Sequence, residues 1–400
     1  MKKICLTVVG LYIGLLSAFS QYTQKDSTYK SRKLHVDEIN LVSSYYQQDG
    51  NHASVTGGTG SQHLTDISNS FDIKLVSRDR KNRKHSFDFD IGVDYFTSAS
   101  TDMIDMKTLS SASRDDKRIY PSFTWSVENE QKGQSFGLGA TYSTEYDYQS
   151  AGGNISFSKK TADKSGEFGF KAHAYFDQVK LVLPEELRNT GISIAQDKDN
   201  NGYAPRTSYS TSLSYSQIIN QRLQVMFLLD LVYQNGYLGL PFYRVYFDDA
   251  SVRIENLPDK RFKVPIGFRA NYFLGDMLVF RSYYRYYKDD WGLDAHTASL
   301  ETSIKLTPFF SISPFYRYYR QQQADYFAPY LTHKTNEQYY TSNYDLSTFN
   351  SHFFGAGLRL APPKGIFNMA HFNMLELRYG HYNRSDKLSS HIVSLNLRFK

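Results

Sequence analysis

The chain alternates. Phe87, Phe89, Ile91, Val93 and Tyr95 fall on one face of an extended segment, and Ser86, Asp88, Asp90, Gly92 and Asp94 fall on the other. A period of two is the mark of a β-strand with one apolar and one polar face. The same pattern places Phe71, Ile73 and Leu75 against Asp72 and Lys74, and Phe168, Phe170, Ala172, Ala174 and Phe176 against Lys171 and His173. It returns in Leu223 to Leu231, in Phe262 to Ala270, in Leu375 to Tyr379 and in Val393 to Phe399. Polar connections separate the strands and alternate in length. Short ones (Asp79 to Lys84, Asn129 to Gly133, Thr161 to Ser165, Ile219 to Arg222, Leu274 to Asp276) take turns with long ones (Gln48 to Thr65, Thr97 to Lys117, Leu181 to Arg206, Gly236 to Lys260, Gln321 to Ser347). Short turns at one end and long loops at the other predict an all-β fold: a single closed antiparallel transmembrane barrel of about 16 strands (roughly 14 to 18). Strands of roughly 10 residues suffice for a tilted crossing.

Composition points the same way. Only 40% of the 400 residues are hydrophobic, yet 16% are aromatic, with 33 Tyr and 28 Phe. The mean hydropathy of −0.51, with no apolar run of 18 residues, excludes a helical membrane bundle. Aliphatic residues are too few for a large enzyme core, whereas a thin outward apolar belt needs few. The doublets Tyr45-Tyr46, Tyr95-Phe96, Tyr283-Tyr284, Tyr286-Tyr287, Tyr318-Tyr319 and Tyr339-Tyr340 lie near strand ends, where amphipathic rings form interfacial girdles.

Lys2-Lys3, the apolar stretch Ile4 to Leu16 and the small residues Ser17, Ala18 and Ser20 read as a secretory leader cleaved before Gln21. The expected organisation is a leader over 1–20, a short periplasmic segment over 21–35 and an outer-membrane barrel over 36–400. Cys5, inside the leader, is the only cysteine, so the exported chain has no disulfide and no thiolate chemistry. The final strand, ending Leu397-Arg398-Phe399 before Lys400, has the terminal aromatic that barrel-insertion machinery reads. The expected partners are therefore that machinery, the outer-membrane bilayer and a periplasmic or surface protein. Beyond the leader the net charge is +4, too balanced for nucleic-acid binding.

If the apolar faces meet lipid, the opposite faces line a lumen. Residues 21–200 hold 22 Lys/Arg against 25 Asp/Glu, and residues 201–400 hold 22 against 15. An acidic wall of Asp72, Asp88, Asp90, Asp94 and Glu128 would face a basic wall of Lys263, Arg269, Arg281, Arg285, Arg317, Arg359, Arg378 and Arg398. In an open pore the two walls set up a transverse field; in a shut one they pair across the lumen. Both outcomes stay open at this level.

Asp197, Asp199, Asn201 and Gly202 match the first half of a calcium loop, but Ser208 stands where the bidentate glutamate belongs. A weak Ca²⁺ site at millimolar metal competes with the plainer reading of a polar surface loop, and no other cofactor is expected. Gly57-Gly58-Thr59-Gly60 lacks the Lys-Ser/Thr of a phosphate loop and reads as a flexible connection. No HExxH is present. A barrel hydrolase would need a Ser–His pair; His173 and His391 lie on strands without a convincing serine partner, so the chain is read as a non-enzyme.

Certain segments resemble a known family. They are Val42 to Asn51, Val55-Thr56-Gly57-Gly58, Asp94-Tyr95-Phe96-Thr97-Ser98-Ala99-Ser100-Thr101-Asp102, Ser110 to Ser113, Tyr146-Asp147-Tyr148, Asn154 to Lys160, Ala174 to Gln178 and Pro184 to Arg188. The chain resembles the domain of unknown function 3570 family of bacterial outer-membrane β-barrel proteins over nearly all of its exported length. The resemblance implies a Gram-negative outer-membrane location and a tie to an exported redox or flavin system. It supplies no catalytic residues. The functional expectation is a porin-like channel or partner-binding scaffold, with a plugged receptor, or less readily an outer-membrane hydrolase, as the alternative.

Overall fold

A computed structural model describes residues 33–97, 115–184, 187 and 202–400. The leader and the candidate calcium residues Asp197, Asp199 and Asn201 lie outside the described residues, as does the run from Ser98 to Asp102. Eighteen strands follow in order: β1 (His35–Asp49), β2 (Leu64–Arg78), β3 (Lys84–Thr97), β4 (Asp115–Asn129), β5 (Gln134–Thr144), β6 (Tyr148–Lys160), β7 (Gly166–Lys180), β8 (Tyr203–Asn220) and β9 (Leu223–Gly236). Then come β10 (Arg244–Tyr246), β11 (Val252–Ile254), β12 (Lys260–Leu274), β13 (Leu278–Asp289), β14 (Asp294–Lys305), β15 (Phe310–Gln321), β16 (Phe349–Leu360), β17 (Phe372–Arg384) and β18 (Ser389–Phe399).

All but β10 and β11 hydrogen-bond in one antiparallel ring of sixteen, closed by β1 against β18 from Ile39↔Phe399 to Asp49↔Ser389. Closure removes every free edge, so backbone polar groups are satisfied even against hydrocarbon. Among the described residues no helix is long and apolar enough to cross a membrane; the crossing elements are strands. They run 11 to 18 residues, longer than the minimum crossing, and carry the barrel wall beyond an apolar belt.

That belt follows the predicted parity. Phe89, Ile91, Val93, Phe227, Ile266, Leu300, Phe354, Leu377 and Val393 are all exposed. A ring of large apolar side chains facing outward is unstable in water and stable in lipid. Correspondingly, among the described residues the buried apolar side chains form small separate clusters and no central core.

The Tyr doublets split. Because neighbours point to opposite faces, Tyr45 and Tyr284 look outward while Tyr46 and Tyr287 turn in, Tyr287 donating to Asp289 at 2.7 Å. Tyr339-Tyr340 is not in a girdle at all. It lies in the connection between β15 and β16, where Tyr340 packs edge-on against the fully buried Phe247 (4.9 Å).

The turn between β16 and β17 also departs from the short-turn pattern. Its Ile366 is buried among Ile39, Leu41, Phe372 and Phe399, covering the outer face of the closing seam. Phe367 beside it is 84% exposed.

Candidate functional site

The inward faces hold the wall residues on the strands where the alternation put them, opposite the exposed belt. On the acidic side Asp94 accepts from Ser68 Oγ (2.6 Å) and Tyr120 Oη (3.0 Å), and Asp72 accepts from Asn40 Nδ2 (2.9 Å). Lys74 stands 3.8 Å from Asp88, and Lys160 3.5 Å from Glu128. Asp72 and Asp90 are register partners, so two carboxylates meet on one rung. On the basic side Arg281 and Arg378 share Glu301, at 2.8 Å and 2.6 Å, and Arg378 also reaches Glu376 at 3.3 Å. Arg398 lies 3.4 Å from Glu38. Lys263 sits at the register position of Asp289, and Arg359 at that of Glu376.

Among the described residues no ion pair runs from the five acidic-wall residues to the eight basic-wall residues. Those wall residues that form ion pairs do so with groups on their own side of the ring. The two are not zipped across the lumen.

Between β12 and β17 the basic wall opens into a recess of about 500 Å³. Arg269, Arg281, Arg317 and Arg378 line it with a single carboxylate, Glu301. Its floor is aromatic: Phe315 and Phe353 lie 5.0 Å apart, with Arg317 4.8 Å over Phe353, Arg378 5.2 Å over Phe315 and Arg269 5.6 Å over Tyr283. The two phenylalanine rings are tilted by 49° to one another and lie close over glycine. A Cβ on Gly380 would stand 2.6 Å from the Phe353 ring. The alternation located the arginines but not Glu301, Phe315 or Phe353, which sit on β14, β15 and β16. There the apolar face is diluted by His296, Ala298 and Asn350, and the period is faint.

The long-loop end is built by three connections from different parts of the ring. Residues 50–63 leave β1; residues 237–259, including the β10–β11 hairpin, leave β9, eight places around the barrel; residues 322–348 leave β15. They interlock. Arg244 Nη1 donates to Val55 O at 2.7 Å, Ser54 Oγ to Asn343 Oδ1 at 3.1 Å, and His52 stacks on Tyr344 at 3.8 Å. The Gly57–Gly60 run is therefore folded, not a slack connection. Gly57, at φ 76°, lets the chain turn where a Cβ would lie 2.5 Å from the Tyr246 ring.

Between the second and third connections, Val245, Phe247, His333 and Thr341 are essentially inaccessible. His333 contacts Glu337 Oε2 through Nδ1 (2.5 Å) and Thr341 O through Nε2 (3.0 Å). Thr341 Oγ1 donates to the buried Glu255 at 2.5 Å, and Leu240 N to its other oxygen at 3.0 Å. Burial pushes the Glu255 carboxyl up to about 7 despite both donors. Inward-facing wall residues hold the assembly. Gln321 Nε2 donates to Asp345 O (2.9 Å) and Ser347 O (2.7 Å), while Arg384 bonds Asp345 (2.6 Å), Tyr344 O (2.9 Å) and Asp386 (2.5 Å). Connections that start on opposite sides of the ring and touch must cross the mouth.

Of the strand histidines weighed for catalysis, His173 contacts Tyr175 and His391 contacts Tyr379. A carboxylate group absent from the sequence reading, Asp116, Glu145 and Asp147, gathers at the long-loop ends of β4 and β5, with Arg118 3.3 Å from Glu145.

A sealed sixteen-strand antiparallel ring, greasy outside and charged within, defines the class: a porin-like β-barrel of the outer-membrane type. Residues 14–389 match the family described as protein of unknown function (DUF3570), and the chain belongs to that family. No curated protein matches it in sequence. Among solved structures it is similar to OccK1 (OpdK) of Pseudomonas aeruginosa (9% identity, 93% of this chain and 99% of that one, TM-score 0.41). It is also similar to a BenF-like porin from Pseudomonas fluorescens Pf-5 (8%, 93% and 100%, 0.42) and to a bacterial polysaccharide outer membrane secretin (12%, 90% and 98%, 0.43).

Proposed function

We infer that the protein is an outer-membrane channel for small organic anions, narrowed at its long-loop mouth by the three interlocked connections. The observation that carries this is the recess on the basic wall. Arg269 and Arg317 have no carboxylate within 4 Å among the described residues, yet both lie over aromatic rings. A guanidinium that is left without a counter-ion and held by a ring fits an anion in transit, and the aromatic floor suits an apolar or aromatic body attached to it. A sixteen-strand ring is wide enough for an aqueous path. Cys5 being the sole cysteine, a tie to a redox system through thiol–disulfide exchange would have to run through a partner.

Planar-bilayer recording under a salt gradient tests the reading. Purified barrel should pass current with an anion-selective reversal potential, and the R269Q/R317Q double variant should move that potential toward zero. Cation selectivity in the parent would refute the recess argument. Silence at both polarities would refute conduction itself and leave the second reading, a plugged receptor whose loops bind a protein partner. The buried contacts among Phe247, His333 and Thr341 favour that alternative.

A further inference from the structure

Register divides the recess into two tiers. Arg269, Tyr283, Ser299, Arg317 and Phe353 stand side by side across β12 to β16 on one inward rung. Asn271, Arg281, Glu301, Phe315 and Gly355 form the next rung toward the short turns. Inward positions along a strand are two residues apart, so the tiers are separated by about 7 Å.

The tiers differ in how their charges are engaged. On the upper one Arg269 lies over Tyr283 at 5.6 Å and Arg317 over Phe353 at 4.8 Å, and among the described residues neither pairs with a carboxylate. On the lower one Glu301 is bound at both oxygens. Arg281 Nη1 donates to Oε1 at 2.8 Å, and Arg378, from one rung further down, donates through Nη2 to Oε2 at 2.6 Å. Both guanidiniums are held further, Arg281 by Ser303 Oγ (2.7 Å) and Arg378 by Glu376 (3.3 Å). Among the described residues the carboxylates paired with the recess are thus Glu301 and Glu376, and both lie at or below the lower tier. Glu301 stands where a ligand carboxylate would stand on that tier, bridging two guanidiniums.

We propose that Glu301 is the specificity residue of the recess: it confines anion binding to the upper tier and makes the site select monoanions with an uncharged tail over dianions. The inference rests on the anion-channel reading above and deepens it. A ligand that sets its carboxylate on Arg269 or Arg317 and lays its body over Phe353 and Phe315 brings its far end to Glu301. An uncharged end is accepted there. A second carboxylate meets the Glu301 charge, and the guanidiniums that would receive it are already engaged. Benzoate and terephthalate separate the two cases, because the para carboxylate of terephthalate lies a tier's distance from the first.

The test is saturation-transfer NMR titration of the detergent-solubilised barrel with each acid, a measurement that needs no conduction. Heat-modifiable gel migration checks that each variant is folded. The parent should bind benzoate about tenfold more tightly than terephthalate, the scale of one unfavourable charge contact at a solvated site. E301Q leaves Arg281 and Arg378 available to the second carboxylate and should reverse that order, whereas E301D, which keeps the charge, should preserve it. A purely structural role would lower the melting temperature of E301Q and leave the ratio in place. Benzoate binding with the same ratio in folded E301Q as in the parent, or a parent that prefers terephthalate, would overturn the role of Glu301 and leave the recess standing. A parent that binds neither acid would overturn the recess reading along with it.

Discussion

Glu255 makes the loop assembly sensitive to pH. It is 5% exposed, and burial holds its proton up to about 7 against an ordinary carboxyl value of 4.5. When the loops part, the side chain reaches water and ionises at the ordinary value. A carboxyl raised in the assembled state favours assembly fully below 4.5 and loses that advantage as pH climbs through 7. The linkage is worth about 3 kcal/mol, or about 300-fold in the opening equilibrium. Glu337 acts in the opposite sense and in another range. Burial is the largest influence and works against its charge, but the hydrogen bonds from His333 and the Lys334 backbone, together with the charges of those two residues, hold the carboxyl below its usual value, so its contribution fades only toward acid.

Hydrogen exchange at the Tyr340 amide reads the opening, because it donates to Asn256 O (2.8 Å) across the loops. After correction for intrinsic base catalysis, protection should fall by about two orders of magnitude between pH 4.5 and 8. In E255Q the amide cannot ionise, so the profile should flatten. Its NH₂ would also face the Leu240 N–H, costing about 1–2 kcal/mol of protection at every pH. A pH slope in E255Q equal to that of the parent would refute the assignment.

Two further perturbations probe the wall. Arg384, with 5% of its side chain exposed, ties Asp345, Tyr344 O and Asp386 together; R384M strands the nearly buried Asp386 and should weaken loop docking by about 3 kcal/mol, read as faster proteolysis within 322–348 and larger single-channel conductance. In G380A the new methyl meets the Phe353 ring at 2.6 Å and should lower stability to urea by about 1–3 kcal/mol, with a loss of anion selectivity as the recess floor is displaced.

Periodicity alone settled which residues pair off by face. A two-residue repeat is local, so Phe89 outward and Asp90 inward follow from the chain without any knowledge of its neighbours. The same rule assigns every arginine of the basic wall to the side opposite the apolar belt. It also divides the tyrosine doublets, a consequence that clustering by composition obscured. Ring closure and the interlock needed three dimensions. Arg244 and Val55 are 189 positions apart, and Ser54 and Asn343 are 289 apart. Loops carry no period, and no local rule specifies which of them meet. The recess belongs to the same category. Its floor depends on register, which sets Phe315 against Gly355 and Phe353 against Tyr382, and register is set by the turns and by the matching of faces between neighbouring strands, not by the order of residues along one strand.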